Sequence, residues 1–208
     1  MLPGKGPRCF PVADKEEFAM HSAHNSLIKE FFEKEKIIYA DDLIIKDLLH
    51  VQKRSAKLKL TVKQKWQGTY FYKEIVGHIY PQISIQKVSK QIGYGIFAEK
   101  EIPPNTYVGE YTGLIRKRKL WEKLENCYLF EYDLDEWVIS KFIIDAKNHG
   151  NHTRYINHSD TPNLEPLAVV VEGTLRIILY TTKKIAIGEQ LCYDYGEGYW
   201  NRRIKLSC

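Results

Sequence analysis

Two stretches decide the reading of this chain: Gly150-Asn151-His152-Thr153-Arg154-Tyr155-Ile156-Asn157-His158-Ser159-Asp160-Thr161-Pro162-Asn163, and Gly188-Glu189-Gln190-Leu191-Cys192-Tyr193-Asp194-Tyr195. The first is polar, ends on a proline and carries a dense set of hydrogen-bonding side chains with little preference for helix or strand. Taken alone, Asn157-His158-Ser159 suits a loop whose Asn and Ser cap their own backbone. His149, His152 and His158 could be drawn into a zinc site, but no fourth ligand presents itself. In the second stretch Tyr193 and Tyr195, with Tyr199 beyond, alternate at a strand end before a glycine-rich exit, a pattern that packing alone explains.

Working outward, short strand-like runs surround both stretches: Ile83–Val88, Gly95–Ala98, Thr106–Tyr111, Tyr128–Tyr132, Val138–Ile144, Leu167–Val171, Leu175–Thr181 and Gln190–Tyr195. Glu172-Gly173 falls between two apolar runs and predicts a hairpin turn. The basic piece from Arg116 to Asn126 reads as a helix. From Asp14 to about Trp66 the pattern is helical, with a capping box at Asp14 and Glu17 and a second start signal at Asp41-Asp42. Proline is missing between residues 12 and 80 and then returns among glycines. This shift marks a boundary near residues 75–82. Strands do not alternate with helices, which argues against a doubly wound sheet. The expected class is α+β, mostly β, with a helical extension over residues 1–80, a strand-rich domain over 81–200 and a basic tail over 201–208.

The chain has 208 residues, 44% of them hydrophobic and 27% charged, an ordinary globular mixture that sets aside disordered and coiled-coil classes. Its formal charge of +5 is too small to name a partner. No spanning segment or secretory signal is visible, so a cytoplasmic protein is expected, unless a non-classical route exports it, for instance into a host nucleus. Cysteines at 9, 127, 192 and 208 lack tight metal spacing. Neither a disulfide nor a structural zinc is expected.

Read in order, Gly93-Tyr94-Gly95, Gly109-Glu110-Tyr111-Thr112-Gly113, Tyr128-Leu129-Phe130, the Arg154–Asn163 stretch and the Gly188–Tyr195 stretch resemble the SET-domain protein lysine methyltransferases over about residues 82–200. The resemblance is strongest to bacterial, chlamydial-type members, where an aspartate also stands at the position of Asp160, and so suggests a bacterial effector. It implies a β-clip of short sheets in which the Asn157-His158 segment and the Tyr193–Tyr195 segment form a pseudoknot, one of the rare threaded connections. It implies S-adenosyl-L-methionine as methyl donor. Backbone groups of Ile92, Gly93, Tyr94 and Gly95 would hold the donor's amino-acid end, and Arg154, Tyr155 and Asn157 would line its cleft. Asn157 and His158 would meet its sugar and adenine.

By the same resemblance Tyr195 is the catalytic tyrosine, contacting donor and amine, and Tyr128 is the second hydroxyl of a lysine channel. Tyr193 stands where the family varies between Tyr and Phe, which implies mono- or dimethylation. Asp160 replaces a zinc-ligating cysteine and the Cys-rich tail of many relatives is absent, so Trp200 or a neighbouring subunit of a homodimer would wall the channel. The implied substrate is a histone or histone-like basic protein, with no nucleic-acid requirement and no membrane; Glu131, Asp133, Asp135 and Glu136 form a local acidic run that suits either a basic tail or a solvated strand and turn. A second reading is a non-catalytic chromatin or nucleic-acid binding module on the same scaffold.

Overall fold

The computed structural model describes residues 15–118, 126–132 and 142–200. Helices fill the proline-free N-terminal part: α1 (Lys15–Lys34), a short strand β1 (Ile38–Tyr39), α2 (Leu48–Ser55), α3 (Val62–Tyr70) and α4 (Tyr72–Gly77). The cap expected at Asp14 lies outside the described residues. The start signal at Asp41-Asp42 is corrected. α2 begins at Leu48 because the Asp47 carboxylate accepts the His50 amide at 3.0 Å, while Ile44 is drawn into a bridge with Leu114. α3 opens on a reciprocal capping box between Thr61 and Gln64.

Strands follow: β2 (Ile83–Ser89), β3 (Gly93–Ala98), β4 (Tyr107–Glu110), β5 (Leu114–Lys117), β6 (Leu129–Glu131), β7 (Phe142–Asp145), β8 (His149–Gly150), β9 (Asn157–His158), β10 (Leu164–Val171), β11 (Thr174–Thr181) and β12 (Gln190–Tyr193). A 3₁₀ turn, His152–Tyr155, precedes β9, and a short helix α5 (Glu197–Trp200) closes the described chain. The hairpin expected at Glu172-Gly173 joins β10 to β11, both turn residues at positive φ. β10 starts three residues before the expected Leu167 and includes Pro166, which its edge position in the β10-β11-β4 sheet permits.

The helix expected from Arg116 to Asn126 is not what begins there. Leu114–Lys117 is a strand paired antiparallel with β7, because Arg116 reaches across to Asp145 at 2.8 Å and Ile115 is buried between neighbouring strands. Residues 119–125 lie outside the described residues. The expectation of no disulfide is also corrected: Cys192, buried in β12, is disulfide-bonded, and its partner lies outside the described residues.

The sheets β2-β3-β12-β9, β10-β11-β4 and β5-β7-β6 enclose three clusters of buried apolar side chains. Ile28 and Phe32 of α1 enter one of them beside Ile96, Leu191, Tyr155 and Tyr193, and Phe32 is fully buried. α1 therefore forms the back wall of the region where β9 and β12 meet. There the two decisive stretches interlock. Asn157 and His158 run parallel to Cys192 and Tyr193, and the Asn163 side chain accepts the Cys192 amide at 2.8 Å while donating to the Gln190 carbonyl at 2.8 Å. Asn163 thus satisfies the backbone that a two-residue parallel pairing leaves open.

Candidate active site

The glycine turn lies directly against the interlocked strands. Gly93 has φ +85°, a conformation side chains resist, and open space above its Cα. Gly95 is the opposite case: a Cβ there would lie 2.4 Å from the Gln190 amide, 2.8 Å from Val88 and 3.0 Å from the Asn157 amide. That closeness lets Asn157 Nδ2 donate to the Tyr94 carbonyl at 2.9 Å, tying β9 to the turn. Ile92 is set by its amide donating to Ser89 Oγ at 3.0 Å.

The 3₁₀ turn is fastened from beneath. Asn151 and Thr153 both donate to the Glu110 carbonyl, at 2.9 and 3.2 Å, and His152 Nε2 donates to the Val108 carbonyl at 2.9 Å. The turn thereby presents Arg154 and Tyr155. Arg154 is buried and committed to the protein: Nε to Ala146 O at 2.8 Å, Nη1 to the Tyr155 hydroxyl at 2.6 Å and Nη2 to Lys147 O at 3.2 Å. Its guanidinium carbon lies 3.8 Å from the centre of the Tyr128 ring, which it holds by a cation–π contact. Tyr155 is ringed by Phe31, Phe32 and Tyr94 in edge-to-face contacts, and Tyr94 donates its hydroxyl to Glu35. The N-terminal helical segment thus supplies Phe31, Phe32 and Glu35 to the surroundings of the site.

Tyr195 is at the centre. Its backbone N–H donates to His158 Nδ1 at 3.2 Å and its hydroxyl donates to the Ile156 carbonyl at 2.8 Å. The other ring nitrogen, Nε2, lies 3.3 Å from Asp160 Oδ1, and Asp194 Oδ1 lies 3.5 Å from Nδ1. The Tyr195 ring lies nearly parallel to Trp200, with 8° between planes, and takes Tyr199 edge-on at 4.7 Å. Tyr193 is 4.7 Å away, centre to centre, and buried. Burial first, then the neighbouring phenols, push the Tyr195 and Tyr193 hydroxyls well above the ordinary tyrosine range. Both are neutral donors or acceptors near neutral pH.

All twelve residues expected at the site, Ile92 to Gly95, Tyr128, Arg154, Tyr155, Asn157, His158, Tyr193, Tyr195 and Trp200, fall in this one region. Tyr111, within the glycine-flanked block Gly109–Gly113, joins the same surroundings. It is buried beside Phe130, and burial raises its hydroxyl too, with Arg154 opposing and Tyr199 and Tyr128 adding to the rise. The sequence signal was its place directly after Glu110. Of the acidic patch only Glu131 is described, and it pairs with Arg118 at 3.3 Å; Asp133, Asp135 and Glu136 lie outside the described residues.

Strands locked together through an Asn-His pair, a glycine turn against them and a buried tyrosine cluster define a small class of β-rich proteins. The SET domain family model matches residues 93–196, half of the sequence, and the chain belongs to that family. It is 38% identical over 126 residues to human histone-lysine N-methyltransferase EHMT1, covering 58% of this chain and 10% of that protein. It is likewise 38% identical over 116 residues to the putative histone-lysine N-methyltransferase ASHH4 of Arabidopsis thaliana, of which it covers 31%. The chain therefore spans a third or less of these relatives. Among solved structures it resembles ATXR5 in complex with histone H3.1 mono-methylated on R26, with a TM-score of 0.65 at 19% identity over 96% of this chain and 98% of that one, a likeness of fold. It also resembles ctPRC2 in an autoinhibited conformation bound to S-adenosylmethionine, with a TM-score of 0.52 and 28% identity over 61% of this chain and 16% of that one.

Proposed function

We propose that the protein is an S-adenosyl-L-methionine-dependent protein-lysine N-methyltransferase acting on a histone or histone-like basic protein. The observation that carries this reading is the placement of the Tyr195 hydroxyl, 2.8 Å from Ile156 O, at the crossing that also holds Asn157 against the glycine turn. The relatives' activities and the S-adenosylmethionine held by the ctPRC2 structure support it.

The residues fit such a donor. The open face above Gly93 admits a polar headgroup beside backbone amides, and Gln190 Nε2 and Trp200 Nε1 are buried polar groups without a hydrogen-bond partner among the described residues. Ile92 to Gly95 would hold the amino-acid end, with Tyr155, Asn157 and His158 along the nucleoside and Trp200 closing over Tyr195. Arg154 would act through Tyr128 and Tyr155. When bound, the donor supplies an electrophilic methyl and its own leaving group, so the chain needs no nucleophile of its own. Its task is positioning. The enclosure of Tyr128, Tyr193, Tyr195 and Trp200 strips water from an entering lysine, whose ordinary pKa of about 10.4 must fall before it can attack. Tyr195 commits its proton to Ile156 O, so its oxygen is free to accept from the amine N–H and aim the lone pair. With its phenol raised, Tyr195 is not the base; the proton leaves to water.

Isotope-labelled donor, the protein and a panel of histones and other basic proteins should yield label on lysine. Donor binding with no label on any panel member would overturn the reading. Asn157→Ala should weaken donor affinity by about 10-fold, since it removes a buried side-chain hydrogen bond worth about 1–1.5 kcal/mol. Calorimetry reads this directly, and an unchanged affinity would remove Asn157 from the donor site. Tyr193→Phe should shift products toward higher methylation states in mass spectrometry, because the hydroxyl and any water it holds fill space that a bulkier amine needs. An unaltered product ratio would contradict that role.

A further inference from the structure

From Leu48 to Lys73 the sequence contains no aspartate or glutamate, yet it carries Lys53, Arg54, Lys57, Lys59, Lys63, Lys65 and Lys73. α3 packs on β10 through its buried Gln67 and Gly68, where a Cβ at Gly68 would lie 3.3 Å from Val169. Its outer face therefore presents Val62, Lys65, Trp66, Thr69 and Tyr70. Trp66 and Tyr70 stack on one another at 4.7 Å and 16°, and each is 53% exposed. Lys63 is held by Glu165 at 2.8 Å, but Lys53, Lys57, Lys59 and Lys65 are exposed and have no acidic partner among the described residues.

We propose that this face, α3 with the Lys57–Thr61 approach to it, docks on the phosphate backbone of double-stranded DNA. A one-signed run of lysines without an interleaved carboxylate suits a polyphosphate. The Trp66–Tyr70 pair is closed on itself, and 4.7 Å between ring centres leaves no slot for a splayed base, so single-strand stacking is not what the face offers. α3 itself carries no Leu, Ile or Phe, and its exposed apolar side chains are limited to Val62, Trp66 and Tyr70, so charge dominates the face. The contacts are to backbone and carry no sequence preference. Docking is separate from methyl transfer and needs neither donor nor lysine substrate.

Fluorescence anisotropy of the full chain with a labelled duplex, without donor, tests this. With three or four phosphates contacted, affinity should fall roughly 50- to 150-fold between about 50 and about 200 mM salt. The triple variant Lys57→Gln/Lys59→Gln/Lys65→Gln should bind far more weakly and retain only about a fourfold salt effect, as expected when about one phosphate contact survives. Trp66→Ala should reduce affinity without changing the salt slope, because it removes no charge. Circular dichroism would confirm that the variants fold, and donor affinity should match the parent in both. Salt-insensitive binding, equal binding by the triple variant, or preference for phosphatidylserine vesicles over duplex would each overturn the proposal. Loss of methyl transfer would not bear on it.

Discussion

Tyr195→Phe should lower kcat by about 10²–10³-fold while donor affinity, measured by calorimetry, stays within about twofold, the scale seen when one preorganised hydrogen-bonding group is removed from an active site. The substitution keeps the ring that Trp200 stacks on and Tyr199 meets edge-on, and it keeps the backbone N–H that donates to His158. Only the hydroxyl and its 2.8 Å bond to Ile156 O are lost. Because burial holds the phenol neutral, the loss is that of a fixed dipole rather than a base. The pH–rate profile should therefore keep its shape while its height falls. Unchanged turnover would remove Tyr195 from the mechanism, and collapsed donor affinity would mean that the hydroxyl is structural.

The largest effect on stability should come from Arg176→Met: a loss of about 3–5 kcal/mol at pH 8, the cost of stranding one partner of a buried ion pair. For a chain of this size that lowers Tm by roughly 6–20 °C. Arg176 Nη1 donates to Glu110 Oε2 at 2.7 Å and to Asp42 at 3.1 Å, and Glu110 is 2% exposed. Burial raises the Glu110 carboxyl from 4.5 to about 7, with Arg176 opposing that rise. A carboxyl raised in the folded state binds more protons there than when unfolded. Its contribution to stability is therefore full below about 4.5 and declines as pH climbs toward 7. Without Arg176 the carboxyl rises further, so the deficit of the variant should shrink at pH 5 and widen at pH 8. Denaturant melts at both pH values read this, and a pH-independent deficit would mean that the carboxylate is not the stranded group. Activity should follow stability, because the Glu110 backbone carbonyl anchors Asn151 and Thr153 beneath the site.

The helices of the N-terminal part, the strands after residue 82 and the hairpin at Glu172-Gly173 were legible in the sequence, as were the two polar stretches that meet in the fold. They rest on local signals: alternation, turn residues and two dense polar motifs. The failures are equally physical. Arg116 looks helical by composition, yet Asp145 lies 29 positions away and pulls it into a sheet. Asp41-Asp42 looks like a helix cap, but Asp42 is claimed by Arg176 across 134 positions, and Asp47 caps instead. The disulfide at Cys192 could not be read from spacing, because pairing depends on which cysteines the fold brings together.

By itself the sequence determined the chemistry on offer: an Asn-His pair, a glycine turn, tyrosines at a strand end, and an acid-free basic run before them. The tertiary structure alone decided how these groups act. It set Asn157 against Tyr94 O, brought the Tyr195 amide to His158 Nδ1, and enlisted Phe31, Phe32 and Glu35 as walls. Side-chain identity limits which bonds a residue can make, but burial and long-range hydrogen bonding select which are made, and those depend on residues tens to over a hundred positions apart meeting in the fold.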